Sequence, residues 1–462
     1  MAAPGVLTPG LSPFTTIELI GLPNKLAKAL SAALQAEGMA TDIRETPSTN
    51  AQAVVIGTAL KKDTLHGHAS TVEAVRQIAP QFEAHGGTLV LLQDSGGRFS
   101  PTDMRAWGSG IVGLTRTAAR EFPLATVRAI DIDRTALGPD QTGQMICGEL
   151  LTGGNALAVG LSADARLEPV EGVAFTPTDT HHVTRNDVLV VTGGARGVTA
   201  DCVIALAART GASFALLGRS QITDWPAGIA PSDDEKQLRT DLARQASASG
   251  QKASLSEIAA LTRAALAGQE IRQTLTRIER VGGRAVYYPC DVADEAALKA
   301  TFDRVETDLG HITGLIHGAG VLADKRLHDK TTEQVARVFA PKVLALQSIL
   351  SLLAHNDLRT IALFSSVAAR YGNAGQADYA MANEILNRVA HAQKAANPAA
   401  CVTALNWGPW DGGMVDDSLR AKFADAGIFL IGRQAGANLF TNAIQSGAAC
   451  PVELVIGSGL PD

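Results

Sequence analysis

The feature that most constrains this chain is a very apolar strand, Val188–Val191. It runs without a break into Thr192-Gly193-Gly194-Ala195-Arg196-Gly197-Val198-Thr199 and then into a helical pattern. Glycines at 193, 194 and 197 permit a tight turn, a close approach of phosphate to backbone amides, and helix-against-strand packing. The free amides and positive dipole end of the following helix then face that phosphate. Strand, glycine turn and helix in this order make a dinucleotide-binding unit of a parallel sheet. The third glycine of the usual pattern is Thr199 here, which puts a larger residue where helix meets sheet.

Strand-like and helix-period segments alternate along the whole chain, so parallel sheets with helices on both faces are expected. In the first half, Thr16–Gly21, Val54–Gly57, Thr88–Leu92 and Ala125–Ile132 read as strands, while Pro23–Glu37, Thr71–Phe82 and Ile111–Glu121 read as helices. A length of 462 residues suits two domains. The polar stretch Thr176–Arg185 marks their boundary, giving units 1–185 and 186–462. GLTRTAAREFP at 113–123, followed by ATVRAIDID, parallels the helix around Tyr379 followed by ACVTALNWG, as in a distant internal repeat. The first half has no glycine-rich turn after its first strand, where Leu19–Lys25 reads LIGLPNK. The expected fold is therefore α/β, with two Rossmann-like doubly wound parallel-sheet subdomains. The first is degenerate and structural, without a cofactor site, and the second is catalytic. About seventy residues separate Arg219 from Asp291, far more than a strand–helix unit needs. An insertion is expected near 221–270, helical over Ser232–Leu266.

Strand Phe214–Leu217 ends in Gly218-Arg219-Ser220. The residue at this place meets the adenosine ribose, and an arginine there pairs with the 2′-phosphate of NADP. Arg219 therefore argues for NADPH, with Arg196 as a second contact. Asp291 and Val292, after strand Ala285–Tyr288, are placed near the adenine. Gly318, Ala319 and Gly320, after strand Ile312–Ile316, let the backbone run beside the cofactor. His317 reads as a packed or cofactor-flanking residue rather than a base.

Leu363–Ser366 ends another strand, Tyr379 lies thirteen residues beyond Ser366, and Asn383 follows one helical turn later on the same face. Reduction of a ketone needs hydride at carbon and a proton at oxygen. A serine can hold the carbonyl oxygen, and a tyrosine can give the proton if a nearby cation tunes its phenol, whose ordinary pKa is about 10.

These motifs resemble the short-chain dehydrogenase/reductase superfamily. Most members carry Tyr-x-x-x-Lys, whereas this chain has Tyr379-Ala-Met-Ala-Asn383, as in the ketoreductase domains of polyketide synthases. There the lysine comes from the preceding helix, and Lys342 in VFAPKVLAL sits at that position. The likeness extends to FSS at 364–366, GQADYAMAN at 375–383 and NWGPWDGGM at 406–414. TGGARGVT, HGAGVLADK and the long insertion are most similar to ketoreductases of polyunsaturated-fatty-acid synthases and related iterative synthases. The resemblance implies Tyr379 as proton donor, Ser366 as carbonyl anchor, Lys342 supporting tyrosine and cofactor, and Asn383 positioning Lys342 or a water. It adds Pro409 and Trp410 to the cofactor wall, and Leu322, Asp324, Gln376, Trp410 and Met414 to the substrate side. It further implies NADPH as cofactor and a β-ketoacyl group on the phosphopantetheine arm of an acyl carrier protein as substrate, entering near Trp410 and 414–428. Leu322-Ala323-Asp324 keeps the last Asp of the Leu-Asp-Asp that marks a D-configured product. The Trp of the opposite class would fall near Tyr371, so the D alcohol is expected.

Net charge is -6 with no basic run, which argues against a nucleic-acid surface. The N-terminal stretch lacks the basic flank and apolar core of a signal peptide. No run of about 18 apolar residues marks a span, and a cytoplasmic protein is expected. The five cysteines are far apart and never in a C-x-x-C pair, so reduced, buried thiols and no metal site are expected. The competing readings are a free-standing reductase of small ketones or acyl-CoA, a silent dinucleotide-binding module, and dehydratase or epimerase chemistry. The string leaves open whether the chain stands alone or is a module of a larger synthase.

Overall fold

The computed structural model describes residues 2–60, 64–99, 104–178, 180–249, 253–412, 417–425 and 427–457. The first sheet holds β1 (Ile17–Ile20), β2 (Thr41–Arg44), β3 (Ala53–Ile56), β4 (Gly87–Gln93), β5 (Ala125–Ile132), β6 (Ala158–Ser162) and β7 (Ala165–Leu167). Their order is β2-β1-β3-β4-β5-β6-β7, parallel except for β7 on β6. The second sheet holds β8 (Val188–Thr192), β9 (Ser213–Gly218), β10 (Arg284–Pro289), β11 (Gly314–His317), β12 (Thr360–Ser366), β13 (Cys401–Trp407) and β14 (Glu453–Ile456). It is wholly parallel, in the order β10-β9-β8-β11-β12-β13-β14. The expected pair of α/β units is thus what the chain forms.

Removing β10 from the second order leaves the order of β2 to β6 in the first. The degenerate half has lost an edge strand as well as its glycine turn. The repeat extends to side chains. Asp131 on β5 accepts from the amide and hydroxyl of Ser95, both at 2.7 Å. Asn406, its counterpart on β13, accepts from the Ser365 hydroxyl at 3.1 Å. After β1, a side chain fills the crevice where β8 is followed by glycines: a Cβ on Gly57 would stand 2.8 Å from Leu22 Cγ.

Central strands are buried on both faces and read as continuous apolar runs. That is why β3, β4 and β8 are legible in sequence. β2 is not, because TDIR is an edge strand with three exposed residues. The helix expected over Thr71–Phe82 spans Thr64–His85. By length and mean hydropathy alone, the continuous helical run Thr332–Leu352 could cross a membrane, although it carries Glu333, Arg337 and Lys342. Its Val335, Val338, Phe339, Val343, Leu346 and Ile349 are nevertheless buried in the protein core.

The two subdomains meet where the helix Ile111–Glu121 crosses the helix Ala377–Ala396. Backbones approach so closely that a Cβ on Gly113 would collide with the Ala380 carbonyl oxygen, and one on Gly372 would collide with the Arg116 backbone. Around this seam Glu384 pairs with Arg388 at 3.1 Å and Arg116 at 3.6 Å. Glu453 pairs with Arg388 and His391, both at 2.8 Å, and with Arg370.

The insertion is a helical hairpin, Glu235–Ala248 and Leu255–Arg280. Asp234 caps the first helix, and Ser254 and Glu257 form a capping box on the second. Leu238, Leu242, Ile258 and Ala265 make its own small core. The second helix does not stop near residue 270. It continues to Arg280, and Ile271 and Ile278 join the core of the second subdomain. Insert and crossover helix are one rigid element.

Candidate active site

The order of the second sheet reverses between β8 and β11, and there the carboxyl ends of the strands splay to leave a crevice. A cavity of about 1380 Å³ opens at this place. The glycine turn forms its floor. Gly193 takes φ +67° and packs on the Gly318 backbone, so it makes the tight turn. Gly194 faces inward, where a Cβ would collide with Val191 Cγ1, and it serves packing rather than phosphate approach. Gly197, at φ +62°, has open space around it and is the first residue of the helix Gly197–Thr210.

Thr192 is wholly buried and does not line the cavity. Its hydroxyl accepts from the Ala319 amide at 3.2 Å and meets His317 Nδ1 at 2.9 Å. The other ring nitrogen, Nε2, lies 2.9 Å from the Lys342 carbonyl oxygen. A carbonyl only accepts, so Nε2 carries the proton and Thr192 donates to Nδ1. Burial first, then the nearby Lys342 cation, push the His317 imidazole down to about 3. It is a neutral strut that holds β8, β11 and the backbone of Lys342 together, and not a base.

Lys342 stands in a π-helical turn, Ala340–Leu344, between the helices Thr332–Phe339 and Ala345–Leu352. Pro341 has no amide to continue the regular ladder, which accounts for the wider turn. The lysine is buried, and burial lowers its pKa to about 8. Its ammonium donates to the Phe364 carbonyl at 2.9 Å and lies 5.4 Å from the centre of the Tyr379 ring. Two further N–H donors have no protein acceptor among the described residues. A Cβ at Gly320 would stand 3.4 Å from this nitrogen, so the glycine keeps the approach to the lysine open.

Ser366 ends β12 and caps the short helix Val367–Tyr371, its oxygen accepting from the Ala368 amide at 3.2 Å. That bond uses the oxygen as acceptor and leaves the O–H free to donate. Tyr379 enters from the third residue of the helix Ala377–Ala396. Burial pushes its phenol up, while hydrogen bonding with Asn383 and Ser366 pulls it down. Asn383 is fully buried behind the cavity wall. Its amide nitrogen donates to the Tyr379 carbonyl at 2.8 Å, and its Oδ1 has no partner among the described residues.

Arg196, Val198, Gly218, Arg219, Ser220, Asp291, Val292, Gly318, Ala319, Gly320 and Pro409 all line the same cavity, as do Leu322, Asp324 and Gln376 on the other side. Gln376 donates to Asp324 at 3.0 Å. Trp410 is a cavity residue but only 5% exposed. It packs against Trp407, and a Cβ at Gly436 would collide with its ring. Its position suits a wall better than an open substrate contact. Met414 lies outside the described residues. Tyr371, where the opposite stereochemical class would have Trp, donates to Glu171 at 2.7 Å. Among the described residues no cluster of three potential metal ligands occurs, and all five cysteines are free and buried.

Three features escaped sequence reasoning. Lys330 and Asp378 form an ion pair at 2.9 Å with both side chains at 0% exposure. Lys330 also donates to the Ala323 and Gly375 carbonyls at 2.7 and 3.2 Å. Glu121 of the first subdomain accepts from the Leu327 and Gly375 amides, both at 2.7 Å. Glu270 of the insertion helix accepts from the Gly197 amide at 2.9 Å. An Asp beside the tyrosine and a Lys in a mostly polar loop were the only available signal for the first pair. The other two partners are 254 and 73 positions apart in the chain and gave none.

The cavity's lining fits a nicotinamide dinucleotide: a glycine with open space at a helix start, Arg196 and Arg219, and a buried lysine with unused donors beside Gly320. Residues 188–412 match the family model described as KR domain. The chain is 31% identical over 370 residues to one of the subunits of the polyunsaturated fatty acid synthase of Thraustochytrium sp., a match that covers 77% of this chain and 13% of that protein. It is 35% identical over 185 residues to polyketide synthase GfsB of Streptomyces halstedii, covering 39% of this chain and 3% of that one. The first ketoreductase of the tylosin polyketide synthase superposes with a TM-score of 0.70 at 18% identity, covering 97% of this chain and 91% of that one. A C2-type ketoreductase from a modular polyketide synthase gives 0.72 at 17%, covering 98% and 93%. The two solved structures share the fold.

Proposed function

Since this chain belongs to the ketoreductase-domain family of polyketide and polyunsaturated-fatty-acid synthases, we propose that it reduces a β-ketoacyl thioester, carried on an acyl carrier protein, to the D-β-hydroxyacyl thioester with NADPH. The observation that carries the reading is the convergence, in one cavity, of the Ser366 and Tyr379 side chains with a buried lysine head beside the tyrosine ring. When bound, the reduced dinucleotide supplies the hydride. Every other part of the reaction falls to the chain's own residues.

Ser366 donates its O–H to the ketone oxygen, since its own oxygen is already occupied by the Ala368 amide. Tyr379 gives its phenolic proton to the same oxygen as the alcohol forms. The Lys342 cation, 5.4 Å from the ring centre, stabilises the phenolate that remains. Its spare N–H donors are also available to a cofactor ribose. Asn383 Oδ1, buried and without a partner among the described residues, is the acceptor for a water or lysine N–H through which the phenolate regains a proton. Arg219 supports the NADPH preference because a guanidinium matches a 2′-phosphate. Asp324, tied to Gln376, supports the D configuration by resemblance.

The test is oxidation of NADPH with acetoacetyl and longer β-ketoacyl thioesters, on carrier protein and on a short mimic, with chiral analysis of the product. Tyr379→Phe is expected to lower kcat by about 10²–10⁴-fold. Undiminished turnover in that variant would remove the assignment, and an L alcohol would remove the stereochemical part.

A further inference from the structure

The glycine turn already faces an anion that belongs to the protein. Glu270, on the inserted helix Leu255–Arg280, accepts from the Gly197 amide at 2.9 Å through Oε1, and its Oε2 stands 4.0 Å from Arg196 Nε. Gly197 opens the helix Gly197–Thr210, and the residue before it, Arg196, makes no side-chain cap. The carboxylate thus takes the place at which a cap or a phosphate oxygen would satisfy this orphan amide. Arg196 faces the same carboxylate and is half exposed. Arg219, the other cation of this end of the cavity, is exposed and has no acceptor among the described residues.

Resting on the dinucleotide reading above, we propose that Glu270 is a specificity-determining residue of the cofactor site, set there by the insertion. The amide would meet the pyrophosphate that both dinucleotides carry, so discrimination rests on Arg196: a 2′-phosphate drawn to that guanidinium meets like-charge repulsion from the Glu270 carboxylate beside it. Glu270 therefore weakens the binding of a dinucleotide that carries a 2′-phosphate and leaves Arg219 as that phosphate's main partner. A dinucleotide without the phosphate is not opposed in this way, because ribose hydroxyls donate to a carboxylate. The insertion, otherwise remote from the chemistry, acquires a function: it narrows the preference for NADPH over NADH. Being part of the same helix that packs Ile271 and Ile278 into the core, the carboxylate is held on a rigid mount.

Direct titration of the intact protein with NADPH and with NADH, followed by nicotinamide fluorescence, tests this without turnover. The Glu270→Gln variant keeps the side chain's shape and the amide's hydrogen bond and loses only the charge. Its Kd for NADPH is expected to fall about 2- to 5-fold, the size of a half-exposed ion pair. Its Kd for NADH is expected to stay the same or rise. Equal factors for both dinucleotides, or no change in either, would overturn the proposal while leaving the cofactor reading intact. Wild-type protein that binds neither dinucleotide would sink the cofactor reading itself, and Glu270's role with it.

Discussion

At the scale of single residues, the proposed chemistry depends on the charge of Lys342. Burial lowers its pKa to about 8, so it is a cation below that pH and neutral above it. Tyr379 is pushed the other way by burial, and its phenol keeps its proton through the same range. If the cation is what stabilises the phenolate, kcat for reduction should hold level below about pH 8 and fall about tenfold per unit above it. Lys342→Met should lower kcat at neutral pH and abolish that descending limb. A limb that survives in the variant would assign the titration elsewhere. Ser366 and Tyr379, which the fold brings to one cavity with Asn383 buried behind the wall, could be singled out in sequence by residue type and by the helical step of four. The partition of the glycine turn could not. Gly194 and Gly197 look alike in a string, and only the fold shows one turned into Val191 and the other open to the cavity.

At the scale of elements, the question is what keeps the loop 321–330 against the helix that carries Tyr379. Lys330 joins three segments by donating to Ala323, to Gly375 and to the Asp378 carboxylate. The Lys325 amide adds a bond to the Gly375 carbonyl at 2.9 Å. Asp378 directly precedes Tyr379, and its Oδ1 also accepts from the Tyr379 amide at 2.9 Å. Replacing one member of a buried pair strands the other, at a cost of about 3–5 kcal/mol. Lys330→Met should therefore lower the denaturant midpoint. In whatever remains folded, kcat should fall and the stereochemical purity of the product should erode. A product as pure as that of the wild type would reduce the pair to a structural role. The helical character expected over 232–266 is present in two helices. The second helix runs on to Arg280, and nothing in the string separates a hairpin arm from the crossover helix into which it continues.

At the scale of the molecule, the first subdomain acts as a buttress. Its helix Ile111–Glu121 reaches the site from behind: Glu121 holds the amides of Leu327 and Gly375, and Arg120, on the cavity wall, donates to the Tyr371 carbonyl at 2.7 Å. A valine at Gly113 must push the two helices apart, since a Cβ there meets the Ala380 backbone. Overpacking of this kind costs about 1–3 kcal/mol. Gly113→Val should lower both Tm and kcat although residue 113 touches no substrate. An unchanged kcat would mean that the seam does not govern the site. The ion pairs of the seam predict acid sensitivity. Burial alone would raise the Glu453 carboxyl, but Arg388, Arg370 and His391 outweigh it and hold it well below the usual carboxylate range. A depressed carboxylate stabilises the fold above its unfolded pKa of about 4.3 and loses that contribution as pH falls below it. Denaturant midpoints measured from about pH 6 down to about pH 3 should drop in this window. Glu453→Gln should lower the neutral-pH midpoint and flatten the drop.

Two α/β units, the glycine turn, and the Ser–Tyr–Asn spacing could be read from the string because each is local: a period, a turn chemistry, a helical step. Lys342 came from resemblance alone, since its approach to Tyr379 is made across 37 residues by a π-turn and a sheet. Glu121, Glu270 and the Lys330–Asp378 pair belong wholly to the tertiary structure. Each acts by placing a charge against backbone or counter-charge far away in the chain. Such a meeting depends on which helices the sheets bring together, a matter of packing that no local pattern encodes.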